Sequence, residues 1–273
     1  MTLKEKLIQC RSEKKSLLAA NFYNFETLQA VLLAAMATKS EIILQASEST
    51  LKYLGVNTAA KMARSALEES GVTGWLHFDH GSTVSLVKKC LDAGFDSVMI
   101  DASESSFEEN VRTTADVVRM AEYYHVNVEA ELGYVAKLGQ QQNTLEFTSP
   151  DEAKRFVDAT GVNALAVAVG NAHGFYKTTP QLRFDVLRQI QEAVSIPLVL
   201  HGSSGIPPGD LQKAIRLGIC KINLATEIKN CFMKKLKTIL SETDEIDLRV
   251  VFPKATEAAR DLLIEKLNHI SAA

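Results

Sequence analysis

Eight short apolar runs recur along the chain, each parted from the next by a longer segment with helical patterning. This alternation leaves few folds open. The runs are Ser16–Asn21, Glu41–Gln45, Gly74–Phe78, Ser97–Ile100, Asn127–Glu131, Ala164–Ala168, Pro197–Leu200 and Cys220–Asn223. The helical patterns between and after them cover Glu26–Thr38, Thr58–Glu69, Thr83–Ala93, Glu108–Tyr123, Pro150–Ala159, Asp185–Ala193, Pro208–Leu217 and Glu227–Leu240. Runs such as Ile42–Gln45 and Ala164–Val169 lack polar alternation, as expected of parallel strands covered by helices. Ser149-Pro150-Asp151-Glu152 supplies an N-cap, an N1 proline and first-turn acids. Gly94, Gly161 and Gly218 follow helical runs, where a left-handed residue ends a helix. Eight β units with intervening helices predict an α/β TIM barrel. A doubly wound sheet would usually carry a glycine-rich turn after its first strand, and Ala20-Asn21-Phe22-Tyr23-Asn24 has no glycine. One more helical segment, Thr256–Ile270, lies outside the eight units, and the longest loop is the Gln-rich Gly133–Ser149.

At 273 residues the chain is expected to form a single domain, residues 1–273. Hydrophobic residues make up 46% and charged residues 23%, which excludes disorder. A net charge of −3 does not favour nucleic acid or an anionic membrane. Apolar stretches such as Ala30–Ala37 are too short to span a bilayer, and Met1–Lys15 has no long apolar run after its charges. Cys10, Cys90, Cys220 and Cys231 show no paired spacing, which fits reduced thiols and a cytoplasmic location.

Histidine placement is the sharpest chemical signal. Three of six histidines precede glycine: His80-Gly81, His173-Gly174 and His201-Gly202. Background composition gives roughly 0.3 such pairs. All three lie at or just beyond the C-terminal ends of the third, sixth and seventh strands, the face that holds TIM-barrel active sites. Three imidazoles with an open fourth position make a catalytic zinc site. His77, His125 and His269 read as structural. Period-2 alternation puts His77 and Asp79 on one inward face of the third strand. Spacing leaves Asp79 open between a general acid/base and a partner that orients a zinc histidine. Asp101, Glu129 and Glu131 add carboxylates near the same mouth, as catalytic groups or as a buried hydrogen-bonded network.

A phosphate site is legible beside these residues. His201-Gly202-Ser203-Ser204-Gly205 follows the seventh strand, and Asn223-Leu224-Ala225-Thr226 follows the eighth. TIM barrels often bind phosphate with those two loops and a nearby helix N-terminus. Lys177 would add a positive charge.

These residues resemble the zinc-dependent class II aldolases of the fructose-bisphosphate and tagatose-bisphosphate type. The likeness runs from about Asn21 to about Lys229. It includes His77-x-Asp79-His80-Gly81, Val98-Met99-Ile100-Asp101-Ala102-Ser103 with Glu109-Asn110, and Val128-Glu129-Ala130-Glu131-Leu132-Gly133. It continues with Ala172-His173-Gly174-x-Tyr176-Lys177, Val199-Leu200-His201-Gly202-Ser203-Ser204-Gly205 and Lys221-Ile222-Asn223-x-Ala225-Thr226-Glu227. The resemblance implies reversible cleavage of a ketose phosphate to dihydroxyacetone phosphate and an aldehyde. His80, His173 and His201 would hold zinc, and Asp79 would carry the proton of the C4 hydroxyl. Gly174, Gly202, Ser203, Ser204, Asn223, Leu224, Ala225 and Thr226 would hold the 1-phosphate. Asp101 and Glu131 match positions able to take a displaced zinc or a second cation, monovalent or divalent. Asn21, Gln45 and Ser47 match positions facing the aldehyde half. A homodimer or homotetramer is implied as well.

Two departures stand out. Family members usually follow the Glu-Leu-Gly motif with further glycines and acids on a mobile loop. Tyr134 to Gln142 carries no acid, and Glu146 is the nearest carboxylate. Fructose-selective members often have an acid at the position of Ala225, so the Asn-x-Ala-Thr form resembles the tagatose type. Two other readings are an aldolase for another phosphorylated substrate, such as 6-phospho-5-dehydro-2-deoxygluconate, and an impaired sugar-phosphate-binding partner subunit.

Overall fold

The computed structural model of the chain describes residues 1–133, 135, 147–176 and 180–272. Eight strands, β1 (Leu17–Asn21), β2 (Ile42–Ser47), β3 (Gly74–Gly81), β4 (Ser97–Ile100), β5 (Asn127–Leu132), β6 (Ala164–Val167), β7 (Leu198–Leu200) and β8 (Ile219–Leu224), form a closed barrel in chain order. Every neighbouring pair is parallel, and β8 closes onto β1 with Leu18 opposite Ile222. The fold is the TIM barrel with an added C-terminal helix.

The helices are α1 (Leu3–Glu13), α2 (Phe25–Thr38), α3 (Glu48–Leu54), α4 (Val56–Ser70), α5 (Val84–Asp92), α6 (Phe107–Glu122), α7 (Pro150–Thr160), α8 (Phe184–Ala193), α9 (Pro208–Arg216), α10 (Thr226–Glu242) and α11 (Leu248–Ser271). Two of them, α1 and α3, have no counterpart among the helical patterns read from the sequence. A capping box starts α1: the Thr2 hydroxyl accepts from Glu5 N–H, and the Glu5 carboxylate accepts from Thr2 N–H at 2.8 Å. Leu3, Leu7 and Cys10, spaced one turn apart, are its buried face. They join Leu17, Ala19, Ile43, Trp75, Ala164, Ala166, Val199 and Cys220 in an apolar cluster that plugs the N-terminal end of the barrel.

The C-terminal helix begins at Leu248, eight residues before the Thr256 expected from the pattern. Pro253 lies in its second turn. A proline there removes one helical N–H, so the Arg249 carbonyl loses its partner. Arg249 is exposed, at the solvent side of the helix start. Val251, Ala255, Ala259, Leu263 and Leu267 recur at helical spacing and bury α11 against α2, α9 and α10. Among the described residues, no helix is long and apolar enough to cross a membrane.

The barrel interior changes character along its axis. Above the apolar plug, the facing pairs Gln45 and His77, His77 and Ser97, and Ser97 and Asn127 make a polar layer. Asp79, two residues beyond His77, and Glu131, four residues beyond Asn127, lie further toward the C-terminal mouth. The site therefore stands on a floor of buried polar side chains.

Candidate active site and metal centre

His80 lies in the last turn of strand geometry in β3, with a left-handed backbone (φ 51°). That conformation is uncommon outside glycine, with asparagine, aspartate and histidine the residues that adopt it most. Regular alternation would send Asp79 inward and His80 outward. The left-handed step, with the register shift between Phe78 and Gly81 against β4, turns both side chains to the mouth. His201 directly follows β7. His173 lies six residues beyond β6, at the end of a connection held by buried Asn171, whose amide donates to the His201 carbonyl at 3.1 Å. Tyr176 fastens the same connection: its hydroxyl accepts from Ala172 N–H at 2.6 Å and donates to the Gly202 carbonyl at 2.9 Å. A Cβ at Gly202 (φ 62°) would strike the Ala172 backbone, so only glycine permits this approach.

The three imidazoles converge. Ring centroids are 4.7 Å apart for His80 and His201, 4.9 Å for His80 and His173, and 5.8 Å for His173 and His201. One ligand atom from each, with a Glu131 carboxylate oxygen, falls in a set whose members all lie within 4.8 Å of one another. Among the described residues, His201 Nδ1 and Glu131 Oε2 are buried without hydrogen-bond partners, although only 3.2 Å apart. Buried polar atoms left unpaired are rare, and a cation held between these two would pair with both. Three imidazoles and a carboxylate are the donor types of a catalytic zinc site.

Each of two histidines has its other nitrogen fixed. His80 Nδ1 lies 2.7 Å from Asp101 Oδ2, and Asp101 also accepts from the Ser103 hydroxyl at 2.7 Å. His201 Nε2 lies 2.8 Å from Glu129 Oε1. Burial opposes charge on His201, yet Glu129 and Glu131 outweigh it and raise this imidazole to about 10. His173, to which no carboxylate among the described residues is bonded, is pushed down to about 3 by burial and by the neighbouring histidines.

Asp79 is 5% exposed. Asn21 Nδ2 donates to its Oδ2 at 3.2 Å, Asn223 Nδ2 donates to its Oδ1 at 3.3 Å, and His80 Nε2 is 3.8 Å from Oδ1. Burial alone would raise this carboxyl, but the charges of His80, His201 and Lys221 more than offset it, so it is held below the usual carboxylate range. Gln45 Nε2 donates to Asn21 Oδ1 at 2.9 Å. Asn21 and Gln45 are thus buried behind Asp79, whereas Ser47 caps α3 and lines the open mouth.

The mouth is a cavity of about 620 Å³ lined by Ser47, His80, Asp101, His173, Ala225 and Thr226, among others. Ser203 and Ser204 are buried beside it; the Ser203 hydroxyl donates to the Asn223 carbonyl at 2.6 Å. The N-cap of α10, Ala225, offers no side-chain acceptor, and Thr226 stands at this helix N-terminus, where Ser204 Oγ accepts from Glu227 N–H. Leu224 is buried in the β8–β1 pairing, opposite Ala20. Gly174 has φ 106°, beside His173. Lys177 and Glu146 lie outside the described residues.

With that geometry in place, comparison with known proteins decides the family. The profile described as "Fructose-bisphosphate aldolase class-II" matches residues 1–273. The chain belongs to this family of aldolases. A "Probable fructose-bisphosphate aldolase" of Bacillus subtilis (strain 168) is 41% identical over 260 residues, spanning 92% of this chain and 90% of that one. A "D-tagatose-1,6-bisphosphate aldolase subunit GatY" of Klebsiella oxytoca is 37% identical over 256 residues, with the same 92% and 90% coverage. The crystal structure of the YdjI aldolase from Escherichia coli K12 superposes with TM-score 0.88 at 33% identity, covering 98% of this chain and 96% of that chain.

Sequence reasoning did not single out Lys221 in this aldolase. Its ammonium is fully buried, 2.8 Å from Glu129 Oε2, and donates to His77 Nε2 at 3.3 Å. His77 Nδ1 lies 2.7 Å from Ser97 Oγ. Glu129 is therefore no mouth carboxylate but the hub of a closed network beneath the site. The available signal was a lysine inside the apolar run of β8, because a lysine is almost never fully buried unless paired.

Proposed function

We propose that this aldolase reversibly cleaves a ketose bisphosphate, tagatose 1,6-bisphosphate or fructose 1,6-bisphosphate, to dihydroxyacetone phosphate and glyceraldehyde 3-phosphate. One observation carries the reading: three imidazoles and Glu131 gather their ligand atoms within 4.8 Å, with the Asp79 carboxylate 3.8 Å from one of the rings. His80, His173 and His201 are the residues to hold zinc, with Glu131 as an alternate ligand and Asp101 with Glu131 as the place for any second cation. When bound, zinc supplies a Lewis acid for the negative charge that develops on the ketone half as the carbon–carbon bond breaks.

The remaining chemistry belongs to the chain's own residues. Asp79 takes the proton of the C4 hydroxyl as C3–C4 breaks and C4 becomes the aldehyde carbon. The electron pair of that bond passes to the dihydroxyacetone phosphate half, where C3 takes up one proton from solvent to complete dihydroxyacetone phosphate, while Asp79 releases the proton it took. In condensation Asp79 returns the proton. Asn21 and Asn223 hold the carboxylate in place, with Gln45 behind Asn21. Gly174, Lys177, Gly202 to Ser204 and Asn223 to Thr226 receive the 1-phosphate, using main-chain N–H groups, hydroxyls and the start of α10. Ser47 faces the aldehyde half. Ala225, where fructose-selective relatives often have an acid, favours tagatose 1,6-bisphosphate, and the Klebsiella relative carries that sugar in its name.

A panel of ketose phosphates, coupled to detection of dihydroxyacetone phosphate, tests this. Cleavage of at least one bisphosphate, lost with chelator and regained with zinc, is the expected result. Full activity after exhaustive chelation would overturn the zinc assignment. Assembly as a homodimer or homotetramer and a cytoplasmic location complete the reading, the latter supported by four free thiols. Light scattering at micromolar concentration should give two or four chain masses; a fully active monomer would refute the assembly.

A further inference from the structure

Glu227 stands where the β8 motif enters α10, and it reaches in two directions. Its Oε1 accepts from Gly205 N–H at 2.7 Å, at the end of the loop that follows β7. Its Oε2 lies 2.7 Å from Lys266 Nζ on α11, the helix outside the eight barrel units. Its own N–H donates to Ser204 Oγ at 3.4 Å. The Glu227 and Lys266 side chains are only 12% and 14% exposed, so the pair is largely shielded from water. Near Lys266, Leu263 and Leu267 are buried and Gln212 Nε2 donates to the His269 carbonyl at 3.2 Å, so the lysine projects from a fixed helix.

We infer that Glu227 is a positioning residue for the phosphate-accepting loop and that Lys266 is its charge partner. The inference rests on the ketose-phosphate reading above. A carboxylate beside a loop meant for a phosphate dianion is unfavourable, since like charges at short range repel. Two features make it tolerable here. Hydrogen bonding to Gly205 N–H and Ser204 Oγ ties the loop to α10 and leaves the amides of Gly202 to Ser204 for the anion. Lys266 neutralises the carboxylate from the side away from the loop. The C-terminal helix thereby acts on substrate binding without touching substrate.

The pattern of charges gives a test that a merely structural role would fail. Lys266→Met leaves an uncompensated, shielded carboxylate next to the phosphate site. Glu227→Gln keeps an acceptor for Gly205 N–H and removes the charge. We expect Lys266→Met to raise KM for the cleaved bisphosphate, and the inhibition constant of inorganic phosphate, about tenfold. Its kcat and zinc content should stay within threefold of the parent. Glu227→Gln should change KM by about twofold. The double variant should recover most of the affinity lost by Lys266→Met, although it has lost more native contacts. Parent-like KM and phosphate inhibition in Lys266→Met would overturn the proposal. So would a double variant that binds phosphate no better than Lys266→Met. A parent enzyme that neither cleaves a ketose phosphate nor is inhibited by phosphate would overturn the functional reading and this inference together.

Discussion

Asp79 and His80 are neighbours in sequence that face the same mouth, and the left-handed backbone at His80 is what makes this possible. Their roles separate in one variant. If Asp79 carries the C4 hydroxyl proton, Asp79→Ala should lower kcat at least ~10²-fold while zinc content stays near parent. If Asp79 instead orients His80, zinc affinity should fall ~10–100-fold and cleavage should return with excess zinc. Recovery at high zinc would withdraw the proton-transfer role. The hydrogen bonds favour the first outcome, because Asp101, not Asp79, pairs with His80 Nδ1. His77 offers a second measurement. Burial and the Lys221 charge push it down to about 3, from an ordinary value near 6.5. The unfolded chain then takes up this proton first as pH falls. The contribution to stability is complete above pH 6.5 and is lost progressively toward pH 3. Between pH 7 and pH 5 the parent should lose about 2 kcal/mol more stability in urea unfolding than His77→Gln. Equal losses would show that His77 is not held neutral. Histidines, glycines and carboxylates at strand ends were legible in the sequence because their spacing coincides with strand termini. The network of His77, Glu129 and Lys221 was not, because its partners come from β3, β5 and β8 and only barrel closure brings them together.

At the scale of elements, the strands were the easiest to read, since each is a short, largely apolar or β-forming run bounded by turn residues. The helices that escaped were short or unusually placed. α3 is seven residues, cut off from α4 by Gly55, whose φ of 83° suits glycine alone. α1 carries only three buried side chains in a polar segment, so its apolar periodicity is faint, although the Thr2 to Glu5 capping pair marks its start. The position of α1 nevertheless gives it weight, because Leu7 plugs the barrel floor with Trp75, and Trp75 Nε1 donates to the Met1 carbonyl at 3.2 Å. Leu7→Ala should cost about 2–5 kcal/mol, as expected for a buried leucine with little room to collapse. Thr2→Ala should cost about 1 kcal/mol through loss of the cap. Denaturant titration of both variants checks the ranking. A Leu7→Ala change below that of Thr2→Ala would mean that α1 is held by its ends and not by the plug.

The whole molecule places a demanding cluster over a sealed base. An apolar plug closes the N-terminal end, a paired polar layer fills the middle, and imidazoles and carboxylates meet at the mouth. The proposed zinc ligands come from β3, from the connection after β6 and from the end of β7, so no local segment can assemble them. Metal binding should therefore require the folded barrel and stabilise it as a whole. For a site that does not exist in the unfolded chain, ligand at a thousandfold its dissociation constant contributes about 4 kcal/mol. In a chain of this length each kcal/mol moves the midpoint by roughly 2–4 °C. Zinc added to the chelated protein should then raise the thermal midpoint by roughly 8–16 °C. His173→Ala makes the decisive comparison. It leaves His80 and His201 with their carboxylate partners but removes the ring that has no such partner among the described residues. Its metal-free midpoint should lie close to that of the metal-free parent, and its zinc-dependent rise should shrink to a few degrees. A full rise in that variant would mean that zinc binds without His173, as a two-histidine site completed by Glu131. Equal midpoints for the parent with and without zinc would mean that the cluster does not hold the metal tightly at all.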